Sequence, residues 1–116
     1  MRKIEFRGLN TSGEWVYGSY VSYYEGHHEI HCKIDPEDDF NGYPVNGGTV
    51  GQYTGIKDSN GVKIFDGDTV GTDLEVGDVK YINEQAAFCL VDDGDFICLL
   101  SNAINPEVIG NINEKA

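Results

Sequence analysis

Short runs of alternating apolar and polar residues, each closed by a Gly, Asn or Asp turn, pattern this chain from end to end. Residues 4–7 predict a first strand, with Ile4 and Phe6 on one face and Glu5 and Arg7 on the other. The turn Asn10-Thr11-Ser12-Gly13 leads into an aromatic strand over residues 14–24, where Gly18 marks a bulge or a bend. A polar segment of strand length follows over residues 26–34. Asp35-Pro36-Glu37-Asp38-Asp39 then has the marks of a helix start: an Asp cap, Pro at the first helical position, and acids at the positive end of the dipole. Asn41-Gly42 and Asn46-Gly47-Gly48 limit that helix to a turn or two. From Thr49 onward strand follows strand, with turns at Asp58-Ser59-Asn60-Gly61 and Asp66-Gly67-Asp68. The pattern predicts one mainly β domain with at most one short helix.

The hairpin near the C-terminus is the most closely specified element. Residues 87–91 and 96–100 flank Asp92-Asp93-Gly94-Asp95, and Asp93-Gly94 is a favoured type I′ pair. A two-residue loop opposes Val91 to Phe96, Leu90 to Ile97 and Cys89 to Cys98. Both faces of that hairpin are apolar, so it is expected within the domain or in a subunit interface. The paired cysteines are expected as buried thiols rather than a redox couple.

Composition narrows the partners. Twenty acidic side chains stand against 8 basic ones, for a formal net charge of −12. Residues 62–116 hold three lysines and 11 acids, a net −8. Such a chain is repelled by phosphate backbones and anionic membranes, so neither direct nucleic-acid binding nor membrane association is expected. Proteins with basic patches, cations or further copies of the chain remain as partners. Three cysteines without a Cys-x-x-Cys motif form no disulfide framework. The basic start lacks the apolar run of a signal peptide, and the longest uncharged apolar run, residues 86–91, is too short to span a bilayer. A cytoplasmic location is the expectation.

Chemistry-bearing residues concentrate in Gly26-His27-His28-Glu29-Ile30-His31-Cys32. On a strand, His27, Glu29 and His31 share a face, which makes them the candidate metal ligands. The two histidines stand roughly 13 Å apart along the strand, so a second strand would have to complete a site. The zinc-protease motif is excluded, because one residue rather than two separates Glu29 from His31. The segment at Asp58 fails as a calcium loop, since its sixth and twelfth positions are Lys63 and Thr69. No nucleophile elbow, phosphate loop or dinucleotide fingerprint is present. Neither catalytic residues nor a cofactor are therefore assigned, and the chain is not expected to be an enzyme.

The motif Gln52-Tyr53-Thr54-Gly55-Ile56-Lys57-Asp58, followed by Asn60-Gly61 and Ile64-Phe65-Asp66-Gly67-Asp68, resembles the central signature of the YopX family of phage and prophage proteins. Ile4-Glu5-Phe6-Arg7-Gly8 with Trp15-Val16-Tyr17-Gly18 resembles the family's opening. Gly77-Asp78-Val79-Lys80-Tyr81 and Glu107-Val108-Ile109-Gly110-Asn111-Ile112 resemble its later motifs. Phe65, Asp66 and Asn113 depart from the commoner family residues. The resemblance implies an N-terminal β portion over residues 1–55 and an SH3-like β-barrel over residues 56–116. It also implies a phage or prophage origin, and it brings no catalytic residues. Three functions follow as expectations. The leading one is a phage accessory protein acting through protein–protein contact, as a homo-oligomer or on a host protein. The others are an acidic DNA mimic and a metal-binding enzyme built on residues 27–32.

Overall fold

The computed structural model describes residues 4–33, 35, 37 and 39–113. The chain divides into two compact units, Met1–Tyr53 and Thr54–Ala116.

In the first unit the hydrogen-bonded strand order is β4-β3-β2-β1-β5, antiparallel in every pair. These strands are β1 (Phe6–Leu9), β2 (Trp15–Ser22), β3 (His28–Cys32), β4 (Asn41–Pro44) and the first part of β5 (Gly51–Lys57). The turn between β1 and β2 is held by Asn10, whose Oδ1 accepts from the backbone N–H groups of Ser12 and Glu14, both at 2.9 Å. Alternation along β2 and β3 puts Val16 and Ile30 into a core with Val45, edged by Phe6, Tyr20, Tyr43 and Val50. Gly18 makes no bulge, because β1 and β2 pair in unbroken register with Phe6 opposite Gly18. It is required for close approach instead: a Cβ there would collide with the His31 carbonyl oxygen and reach Cys32 Cβ at 2.9 Å.

The helix expected at residues 35–39 is not seen where the chain is described. Asp35 Oδ1 accepts from Glu37 N–H at 3.1 Å, a cap-type bond, yet Asp39 and Phe40 are not helical. Ile34, Pro36 and Asp38 lie outside the described residues. Helical structure among those described is confined to three-residue 3-10 turns.

The second unit begins with the remainder of β5 and β6 (Lys63–Phe65). It continues through β7 (Asp68–Gly71), β8 (Val76–Ile82), β9 (Ala87–Asp92), β10 (Asp95–Leu99) and β11 (Glu107–Asn111). The last five form an antiparallel sheet of order β10-β9-β8-β7-β11. This order is open, with β10 and β11 at its two ends, so among the described residues the strands expected to form an SH3-like barrel do not close, and a meander from β7 to β10 is joined by β11 beside β7. Ile64, Val70, Val79, Leu90 and Leu100 are fully buried at its centre.

The β9–β10 hairpin has the expected loop, with Asp93 and Gly94 both at positive φ (49° and 83°). Val91 faces Phe96 as predicted, and there the predicted register ends. A bulge at Ile97 shifts the pairing, so Cys98 opposes Leu90 and Leu99 opposes Cys89. The two cysteines are therefore not cross-strand partners, and both are free thiols. Burial pushes their pKa values up, with the neighbouring Cys98 adding to the effect at Cys89. Cys89, Leu90 and Val91 are buried within the single chain, so β9 needs no second subunit to cover it.

One carboxylate fastens the turn after β5 to the last strand. Asp58 Oδ1 accepts from Asn60 N–H at 2.9 Å and Val62 N–H at 2.8 Å, while Oδ2 accepts from Val108 N–H at 3.0 Å. Burial opposes ionisation here, but the three backbone donors outweigh it and lower the Asp58 pKa. The ionised form accordingly adds stability above the ordinary aspartate pKa, and that contribution is lost as pH falls through the lowered folded value. Asp58→Asn is expected to cost about 2 kcal/mol, through the lost acceptor and the amide now facing backbone donors. It should also flatten the acid limb of a stability–pH curve, measured by urea unfolding. Gly18→Ala should cost roughly 1–3 kcal/mol in the same assay, because the atom it meets is backbone and cannot swing away.

Candidate functional site

The histidine segment occupies β3 and the turn before it. Strand alternation sends His28, Ile30 and Cys32 to the core side and His27, Glu29 and His31 to the other. On the outer face both expected rings lean onto one carboxylate. His27 Nε2 lies 2.8 Å from Glu29 Oε2, and His31 Nε2 lies 2.9 Å from Glu29 Oε1. An ionised carboxylate only accepts, so the ring nitrogen facing it carries the proton in each histidine. The Glu29 pKa is lowered chiefly by the His27 hydrogen bond, against burial, with Tyr23 and His31 assisting. Burial raises the Tyr23 pKa, reinforced by its hydrogen bond to Glu29 and by that carboxylate's charge. Opposite the group on β4, Gly42 leaves the room it needs, since a Cβ there would meet Glu29 Oε1 and the His31 ring. On the core side, His28 Nδ1 sits 2.6 Å from the Tyr20 hydroxyl and its ring stacks on Tyr20.

The strand spacing of His27 and His31 thus does not keep their rings apart. Their nitrogens are held on different oxygens of Glu29, however, with the carboxylate standing where a shared cation would have to sit. Among the described residues no group of three or more His, Cys, Asp or Glu is arranged to hold a metal ion.

A second feature lies in the second unit. Leu74 and Ile104 are exposed (82% and 56%), and with Ile97 and Ala103 they line an open slot of about 260 Å³. Both exposed side chains stand on tied loops. The Thr72 hydroxyl accepts from the N–H groups of Leu74 (3.2 Å) and Glu75 (3.0 Å). Asp73 N–H donates to the Ile104 carbonyl at 3.3 Å, and Asn105 Nδ2 donates to Asp73 Oδ2 at 2.9 Å. The slot was missed in the sequence because Leu74 falls in a short polar turn and Ile104 in another, 30 positions later. An isolated Leu within Thr-Asp-Leu-Glu was the available signal.

The segment that carries the motif at residues 52–70 proves to be architecture. Gly55, Gly61 and Gly67 all take positive φ (86°, 82° and 93°), a backbone region that side chains disfavour. The Thr54 hydroxyl donates to the Ile64 carbonyl at 2.8 Å, fixing β5 against β6. Asp68, fully buried, accepts from Phe65 N–H at 2.7 Å and closes the Asp66-Gly67 turn. These features define a small antiparallel β protein whose turns are fastened by buried carboxylates. The chain matches the family model described as YopX protein over residues 5–116, and it belongs to that family. A comparison with curated proteins finds no match. No helix among the described residues is long and apolar enough to cross a membrane.

The grip of Glu29 on two rings gives an NMR readout. In a pH titration the ring signals of His27 and His31 should show an inflection below the ordinary glutamate value of about 4.3, as Glu29 takes up a proton. Glu29→Gln should abolish that inflection and leave His28, on the opposite face, unchanged. An inflection that survives in the variant would show that Glu29 is not the group holding the rings.

Proposed function

We propose that this chain is a non-enzymatic accessory protein of phage or prophage origin that acts through protein–protein contact inside its host cell. Membership of the YopX family supports the origin. The contact rests on one observation: Leu74 and Ile104 are held exposed on hydrogen-bonded loops around an apolar slot. Apolar side chains gathered at a rimmed depression mark binding surfaces more often than plain surface. The same reading takes the second unit as SH3-like, supported by the meander β7 to β10, the 3-10 turn Leu100–Asn102 and the return of β11 to β7.

The rival readings have less behind them. A DNA mimic needs carboxylates arrayed along one surface; Asp58 and Asp68 are buried in backbone hydrogen bonds, and the exposed acids among the described residues are spread along the chain from Glu14 to Glu107 with no phosphate-like row to favour the reading. A metal enzyme on residues 27–32 would first have to displace Glu29 from between its two histidines. Self-assembly draws less support from the hairpin than its two apolar faces suggest, since the chain buries Cys89, Leu90 and Val91 of β9, and what remains open is Phe96 on the edge strand β10.

The test pairs wild type with Leu74→Glu/Ile104→Glu, two exposed changes that should leave thermal unfolding nearly unchanged. Each is immobilised for capture from bacterial lysate and, separately, run in sedimentation velocity over a range of concentrations. A protein retained by wild type alone, or self-association lost in the variant, is the expected result. Equal behaviour of the two in both assays would overturn the reading.

A further inference from the structure

We propose that the slot is one half of a composite docking site, whose occupant is a partner-protein segment carrying an aliphatic or aromatic side chain flanked by Lys or Arg. The inference rests on the protein-contact reading above and adds the chemistry of the partner.

The slot adjoins a second open hollow of about 460 Å³, lined by Glu75, Val76, Asp92, Asp95 and Ile97. Glu75 and Ile97 line both, so the two depressions share a border. One end is apolar, through Leu74, Ala103 and Ile104; the other holds three exposed carboxylates. No Lys or Arg lines either hollow among the described residues.

Local geometry builds this surface. Ile97 is the bulged residue of β10, and a bulge re-aims a side chain out of the regular alternation. Its Cδ1 lies 3.0 Å from where a Cβ of Gly77 would be, so the missing side chain at Gly77 lets Ile97 lie across β8 as the shared floor. The Thr72 turn then fixes Leu74, in the slot, beside Glu75, at the border of the two depressions.

Charge selects the occupant. A second copy would bring acidic mouth to acidic mouth on chains of net charge −12, and nucleic acid is repelled by the same field. A basic segment is attracted, and its carboxylate contacts would set orientation and speed of encounter while the slot holds the apolar side chain.

A random peptide library displayed on phage, selected on the intact protein, tests this directly. Enriched peptides should carry Leu, Ile or an aromatic next to Lys or Arg. Synthetic versions should lose binding to Leu74→Ser/Ile104→Ser and bind about tenfold more weakly to Glu75→Gln/Asp92→Asn/Asp95→Asn, with a shallower salt dependence. Apolar peptides without basic residues that still depend on Leu74 and Ile104 would overturn the basic-partner inference and leave the contact reading standing. Peptides indifferent to Leu74 and Ile104, or no enrichment above a bare surface, would overturn both. Unchanged thermal unfolding of the variants separates loss of the surface from loss of the fold.

Discussion

The carboxylate of Asp58 is the constraint on which the second unit most depends. Its two oxygens take three backbone donors, and one of them, Val108, lies 50 positions further along the chain. Beside it, Ser59 donates both its N–H and its hydroxyl to the Pro106 carbonyl, at 2.8 and 2.9 Å. The turn after β5 and the start of β11 are thereby one hydrogen-bonded object. A contact of this separation carries a loop-closure cost, and the neighbouring core of Ile64, Val70, Val79, Leu90 and Leu100 must offset it. Asparagine keeps the shape but offers one acceptor oxygen in place of two, so an ionised carboxylate is what the geometry requires.

Asp68 repeats this solution one turn later. Its carboxylate closes the Asp66-Gly67 turn, where the Gly67 N–H reaches the Val79 carbonyl and the Gly67 carbonyl receives the Ile112 N–H. Turns that look like ligand loops in sequence are therefore filled by the protein's own backbone. The histidine face follows related logic, since the carboxylate expected among the ligands of a cation is held by the two rings that would have shared it. In each case the acceptor capacity of an acidic side chain is already engaged by nearby donors.

Much of this was legible in the residues, and the failures share a cause. Alternation located the strands because a half-buried strand must alternate, and Asp93-Gly94 announced its turn because both residues tolerate positive φ. The register of that hairpin held for the pairs next to the loop and broke at Ile97, whose side chain lies against Gly77, a residue 20 positions away. Gly18 was legible as an irregularity, a bulge or a bend, and of these the bulge is absent; the atom that demands its missing Cβ belongs to β3. The convergence of His27 and His31 was hidden for a further reason: spacing along a strand fixes Cα positions and leaves long side chains free to lean together. Local chemistry could be read from the chain, whereas features set by a distant neighbour could not.

The acidic residues then sort by what surrounds them. Asp58 and Asp68 are spent on backbone donors, Asp73 on Asn105, Asp78 on the Thr69 hydroxyl, and Glu29 on two histidines. A net charge of −12 is thus not a uniform coat, because these five acids are engaged in holding the fold. What reaches solvent beside an apolar depression is the group Glu75, Asp92 and Asp95. The same tight turns that secure the fold place these three, Glu75 by the Thr72 turn and Asp92 and Asp95 by the type I′ loop between them. A surface set by hydrogen-bonded turns loses little conformational freedom when it is covered, which favours the proposed docking of a short, basic, apolar segment.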